Sequence, residues 1–195
     1  MHNQKFKRGF TLLETLVALA VLLAAIAGPV SLVTRGISSS SFSKNRLIAA
    51  HLGQEGIELI RLIREQNIMC IVKGASGIKW DTDFDGVGPL SGAGSKTIDA
   101  TDVFTRSCAP GVTIHNPRRG GNCDNTTFRI NSSGYYNYVT GIPTIFTRCV
   151  QVLQPPANEG TIPKQDIMDV ISKVQWNEKG VVRAVELKER LYNWK

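Results

Sequence analysis

The chain has 195 residues, of which 42% are hydrophobic and 20% are charged, so it is neither a disordered chain nor one buried throughout in a membrane. Its net charge is +7, and Lys5, Lys7 and Arg8 place three of the basic residues before the first apolar run. The other 20 basic residues exceed the 16 acidic residues by only 4, which argues against a nucleic-acid-binding protein.

The first predicted element is an apolar helix directly after this basic cluster. Residues 10–33 number 24 and form about 36 Å of helix, enough to cross the ~30 Å hydrocarbon core of a membrane. Basic residues beside an apolar span stay on the cytoplasmic side, so we expect a cytoplasmic N-terminus and an extracytoplasmic C-terminal domain. Glu14 is the one carboxylate in the span. An acid in a membrane helix costs a few kcal/mol, so it usually has a functional partner.

The run Gly9-Phe10-Thr11-Leu12-Leu13-Glu14, between a basic leader and an apolar helix, resembles the N-terminal signature of type IV prepilins. The resemblance implies that a prepilin peptidase cuts between Gly9 and Phe10, and that Phe10 is then N-methylated. It also implies that Glu14 faces the new amino group of a neighbouring subunit, and a buried carboxylate does require a cation. The chain is thereby expected to be a minor pilin or pseudopilin of a type IV pilus or type II secretion-like filament. Its partners would be the peptidase, other such subunits and membrane lipid.

Two other interpretations use the same residues. Ala25-Ile26-Ala27 before Gly28 fits a signal-peptidase site, and cleavage there would release a secreted binding domain. Against this, Glu14 would lie within the apolar part of the signal. A plain signal anchor would instead leave a membrane-tethered domain that does not polymerise. An exported enzyme is disfavoured because no set of acid, base and nucleophile stands out, so we expect neither catalysis nor a small-molecule substrate.

The helical pattern changes beyond the span. Proline removes a backbone hydrogen bond, so Gly28-Pro29 predicts a kink or local melting. A second helix is predicted from about Ser43, as its N-cap, to Gln66. Its apolar stripe is expected to pack on a sheet of the same domain and contains Ile48, Leu52, Leu59, Ile60 and Ile63. Residues 52–58 loosely resemble the helix that follows the anchor in many pilin-like proteins.

Short β-type runs separated by turn residues follow Asn67. Residues 135–139 and 144–153 are predicted to pair as a hairpin. A second hairpin turns at residues 177–180, with Val170, Ser172, Val174 and Trp176 on one face of its first strand and Val181, Val185 and Leu187 on its second. The expected fold is α+β, a long N-terminal helix packed on an antiparallel sheet of about four strands. The predicted segments are a leader (1–9), a transmembrane and filament-core helix (10–34), its amphipathic continuation (35–67) and an extracytoplasmic β-rich domain (68–195).

Four cysteines lie in the exported part and indicate disulfides, with three pairings open: Cys70, Cys108, Cys123 and Cys149. Cys108 with Cys123 is the expected pair, because it would close a loop rich in Gly, Asn and Pro. The alternative is that some thiols stay free and buried.

Calcium is the one cofactor that the sequence suggests. Asp81-Thr82-Asp83-Phe84-Asp85-Gly86 matches the first half of an EF-hand loop, with oxygen ligands at alternate positions and glycine at the sixth. Asp81, Asp83 and Asp85 would be the ligands. The twelfth position is Gly92 rather than glutamate, so a solvated acidic turn is the alternative.

Overall fold

The computed structural model describes residues 11–82, 89–90, 95–98, 108 and 126–193. The chain forms two compact units, Met1–Asn45 and Arg46–Lys195. The first unit consists, where described, of helix. The second contains the C-terminal part of that helix and all of the described strands.

One helix, α1 (Leu12–Val72), replaces the two helices that the sequence predicts. It stays α-helical through Pro29, so the expected local melting is not seen. Proline costs the helix one hydrogen bond and a local clash, and the run rich in Leu and Ala before it, residues 18–27, favours helix strongly enough to outweigh that cost. Ser43 is likewise an internal helical residue and not an N-cap.

The C-terminus of α1 is a Schellman motif, six residues beyond the predicted end. Gly74 has a positive φ of 80°, which glycine adopts without strain. Its N–H donates to the carbonyl of Ile71 at 2.9 Å, and the N–H of Ala75 donates to the carbonyl of Cys70 at 3.0 Å. The glycine therefore ends the helix by satisfying carbonyls that have no partner within it.

Six described strands form one antiparallel sheet, which confirms the α+β class. Their order is β3-β2-β4-β5-β6, and β1 pairs with β4 beside β2. The strands are β1 (Ser95–Lys96), β2 (Thr127–Ile130), β3 (Tyr136–Asn137), β4 (Ile142–Leu153), β5 (Ile167–Glu178) and β6 (Val181–Tyr192).

Of the two predicted hairpins, one is confirmed. β5 and β6 pair along their whole length, from Ile167 opposite Tyr192 to Glu178 opposite Val181. The other is wrong, because β3 pairs with β2 and not with β4. Asn137 is the physical reason: its side-chain oxygen accepts the N–H groups of Val139 and Thr140, and this turn directs the chain away from β3.

The core of the second unit lies between α1 and one face of the sheet. The predicted stripe is confirmed, since Leu52, Leu59, Ile60 and Ile63 are buried, while Ile48 is half-buried. The sheet contributes alternate residues, which include Val150, Val152, Met168, Val170 and Leu191. Trp80, Leu90 and Ile98 complete the cluster from the connection between α1 and β2.

The predicted Cys108–Cys123 pair is wrong, because Cys108 is bonded to Cys70. Cys70 is buried in the last turn of α1, so the disulfide joins the connection after α1 to the helix instead of closing a local loop. Cys149 in β4 is also disulfide-bonded. Cys123 lies outside the described residues.

Candidate functional site

The membrane-span segment of α1 has an apolar surface that its own chain does not cover. The helix is long and apolar enough to cross a membrane, and its most apolar 18-residue window is not buried at all. Leu12 is 79% exposed and Leu32 is 68% exposed. An exposed apolar surface that extends over 18 residues of helix is unfavourable in water, so the segment requires lipid or other apolar helices around it.

Glu14 lies in the first turn of this helix. Thr11 is the N-cap, because its hydroxyl oxygen accepts the N–H of Glu14 at 3.3 Å and its carbonyl accepts the N–H of Thr15 at 3.2 Å. An acid in the first turn interacts favourably with the helix dipole. The Glu14 side chain is exposed, and within the part of the chain that the structure describes no cation pairs with it. A compensating charge therefore has to come from elsewhere.

Gly9 and Phe10 lie outside the described residues. Cleavage between them and N-methylation of Phe10 stay predictions. The structure describes the chain from Thr11, and α1 begins at Leu12.

Two glycines that the sequence analysis left unexplained allow α1 to lie close to the sheet. A Cβ added at Gly56 would lie 2.6 Å from Ser172 Oγ and 3.0 Å from Val150 Cγ2. A Cβ added at Gly53 would lie 3.1 Å from Leu187 Cδ1. The spacing of three residues on the apolar face of a helix is the signal that could have predicted this role.

Arg148 holds α1 to the sheet at the same place and was also missed. Its side chain is fully buried, and it donates to the carbonyl of Leu52 at 2.7 Å and to the carbonyl of Ile98. Glu55 lies 3.5 Å from the guanidinium, and the Phe128 ring centroid lies 4.7 Å from it. The sequence signal that could have identified Arg148 is the alternation of inward-facing and outward-facing residues along β4, in which Arg148 occupies an inward-facing position.

A second polar connection joins α1 to β6. Arg61 pairs with Glu58 on its own helix at 2.7 Å and with Glu189 on β6. The hydrogen bond from Glu189 raises the pKa of Arg61 above its ordinary value. One turn later, Arg64 Nη1 donates to the carbonyl of Tyr192 at 3.4 Å. These contacts fix the direction in which α1 crosses the sheet.

Asp81 is the only one of the three proposed calcium ligands that lies among the described residues. Asp83 and Asp85 lie outside them. Burial raises the pKa of Asp81 above its ordinary value. Among the described residues no group of three or more His, Cys, Asp or Glu side chains could hold a metal, so calcium binding by this loop stays a prediction.

Comparison with known proteins identifies one family description. The prokaryotic N-terminal methylation motif matches residues 4–28, which confirms the resemblance recognised from residues 9–14. No curated protein and no solved structure matches the chain. With a prepilin-type methylation motif, a long apolar helix directly after it and an α+β domain, the chain is consistent with the type IV pilin-like family.

Proposed function

We propose that the chain is a structural subunit, a minor pilin or pseudopilin, of a type IV pilus or type II secretion-like filament. One observation carries the proposal: the methylation motif at residues 4–28 leads directly into a helix whose apolar surface is exposed. The motif points to a structural rather than an enzymatic family, and the helix indicates a single-pass membrane anchor.

The proposed mechanism begins with a precursor whose N-terminus is cytoplasmic and whose second unit is extracytoplasmic. A prepilin peptidase removes residues 1–9, and Phe10 becomes the N-methylated first residue. The apolar spans then leave lipid and pack against each other. Lipid is as apolar as the spans, so this transfer contributes little, and close packing must supply most of the association energy.

In this mechanism Glu14 determines how one subunit is positioned against the next. It is the only charged residue between residues 12 and 34, so a neighbouring span offers it no side-chain cation. The amino group that cleavage creates on Phe10 is the nearest positive charge along the chain. Pairing Glu14 with that group on an adjacent subunit neutralises both and fixes the axial offset between subunits.

The first test is mass analysis of the N-terminus of the protein from its native membrane. We expect a chain that begins with N-methyl-Phe10. A chain that begins at Gly28 would instead support a secreted binding domain, and one that retains its first nine residues would support a plain anchor. Either of those two results contradicts the proposal.

The second test separates a filament subunit from a processed anchor that does not polymerise. We expect Glu14→Ala to be cleaved normally and to be lost from purified filaments. Leu13→Ala is the matched control, since it shortens a neighbouring exposed side chain without removing the charge. Equal incorporation of the Glu14 variant and this control would show that the carboxylate does not direct assembly.

A further inference from the structure

The polar groups at the start of α1 favour a helix that begins at one particular residue. Thr11-Leu12-Leu13-Glu14 has the spacing of a capping box, in which a hydroxyl residue at the N-cap is followed three residues later by glutamate. Thr11 Oγ1 accepts the backbone N–H of Glu14 at 3.3 Å, and α1 begins at Leu12. An acid in the first turn stabilises the same helix start. Two features of the sequence therefore place the start of the helix at Leu12.

The Thr11 hydroxyl takes the place of a backbone acceptor. In a helix that continued toward the N-terminus, the N–H of Glu14 would donate to the carbonyl four residues earlier, which is that of Phe10. The N–H of Leu13 would in the same way donate to the carbonyl of Gly9. Among the described residues, the first carbonyl that accepts a helical hydrogen bond is that of Thr11, at 3.2 Å. The cap therefore competes directly with the carbonyls that a longer helix would use.

The sequence before Thr11 contains little else that would stop the helix. Good helix formers extend an existing helix favourably, and residues 4–8 contain one Gln, two Lys and one Arg, with no proline. Gly9 is the next residue that can serve as an N-cap, and its own carbonyl would then accept the first helical hydrogen bond. Without the cap at Thr11, the start of the helix would move to the Gly9–Phe10 bond.

We propose that Thr11 is a positioning residue for leader cleavage, because its hydroxyl stops the helix before the Gly9–Phe10 bond and leaves that bond accessible to the peptidase. This inference rests on the proposed processing by a prepilin peptidase, which the methylation motif at residues 4–28 supports. A peptide bond within a helix has to be unwound before a protease can cleave it, since its carbonyl is already hydrogen-bonded. Thr11 takes no part in the cleavage reaction and acts only on the conformation of the substrate.

Cleavage of the purified full-length precursor by a prepilin peptidase in detergent tests this role. Thr11→Val keeps the shape of the side chain and removes the hydrogen-bond acceptor. We expect KM to rise by up to about fivefold, which is the effect of losing one cap on the helix boundary, and kcat to change little. The reason is that a smaller fraction of the substrate has the conformation that binds. Thr11→Ser and Thr11→Asn both restore a side-chain cap, so their kinetics should match those of the native chain.

Thr15→Val is the matched control for this substitution. The Thr15 hydroxyl donates to the carbonyl of Leu12 at 2.8 Å within the helix and caps no N–H group, so its removal should leave KM at the native value. Carbon-13 NMR of the precursor in the same detergent, without peptidase, gives a readout that does not depend on the enzyme. The Cα chemical shift of Phe10 should move toward helical values in Thr11→Val and keep its native value in Thr15→Val.

Three results would overturn the inference. They are an unchanged KM in Thr11→Val, an equal rise of KM in Thr15→Val, and a Phe10 chemical shift that Thr11→Val does not alter. A high KM for Thr11→Asn would also contradict it, because the peptidase would then recognise the threonine side chain itself. Failure of the proposed function gives a different result, since the native precursor would not be cut between Gly9 and Phe10. Native cleavage together with any of the other results removes this inference alone.

Discussion

Replacement of Gly56 by alanine tests how closely α1 packs on the sheet. Alanine is better than glycine in a helix interior by about 1 kcal/mol. The new Cβ, however, would lie 2.6 Å from Ser172 Oγ, 3.0 Å from Val150 Cγ2 and 3.2 Å from Arg148 Cδ. Overpacking of this kind costs up to about 3 kcal/mol. We therefore expect Gly56→Ala to lower the free energy of unfolding by about 2 kcal/mol.

A second substitution isolates the shortest of these contacts. Ser172 Oγ is buried without a hydrogen-bond partner, so Ser172→Ala alone should raise the free energy of unfolding by about 1 kcal/mol. It also removes the atom that lies 2.6 Å from the new Cβ. Gly56→Ala should then cost less in the Ser172→Ala background than in the native chain. We expect an interaction energy of about 1 kcal/mol between the two sites.

The measurement is urea unfolding of the four chains of this cycle, followed by near-ultraviolet circular dichroism. Gly53→Ala is the control, because its new Cβ meets only flexible or more distant side-chain atoms, the nearest being Leu187 Cδ1 at 3.1 Å. It should cost less than Gly56→Ala. Equal stability of the two alanine variants would refute the reasoning, as would a strictly additive cycle.

Three further substitutions probe turn geometry, the buried charge and the disulfide, each by urea unfolding. Lys179 has a positive φ of 52° in the β5–β6 turn, which asparagine tolerates better than lysine, so Lys179→Asn should raise the free energy of unfolding by about 0.5 kcal/mol. Arg148→Met removes the hydrogen bonds to the carbonyls of Leu52 and Ile98 and leaves Glu55 without its cation, and should cost about 3 kcal/mol. Cys70→Ser opens a link of 38 residues and should cost about 4 kcal/mol, and reduction of the native protein, which also opens the disulfide of Cys149, should cost more than this variant does.

The parts of the fold that could be predicted are those that depend on local periodicity. The helical spacing of Leu52, Leu59, Ile60 and Ile63 identified the face of α1 that contacts the sheet. Alternation of period two identified β5 and β6, and turn residues between them fixed their register. The methylation motif could also be recognised, because the residues that carry it are consecutive.

The parts that were missed depend on contacts between distant residues. Nothing near Cys108 indicates that its partner is Cys70, because that choice depends on where the connection meets the end of α1. Two-residue strands such as β3 carry too little pattern to assign a neighbour. The sequence analysis assigned no role to Arg148, because its donors meet carbonyls from two segments that are distant along the chain.

Glycine has opposite consequences in the two units, and the difference bears on function. Gly53 and Gly56 meet side chains of the sheet within the second unit, whereas an added Cβ at Gly28 or Gly36 would meet nothing within 4 Å. Side chains of the sheet therefore pack closely against the glycines of α1 in the second unit, whereas no described atom packs against Gly28 or Gly36 in the first. A membrane helix associates by close approach at small residues, not by escape from lipid. The exposed glycines and the exposed apolar surface of α1 are features of this kind, and within the described residues no cation pairs with Glu14 on the same part of the helix.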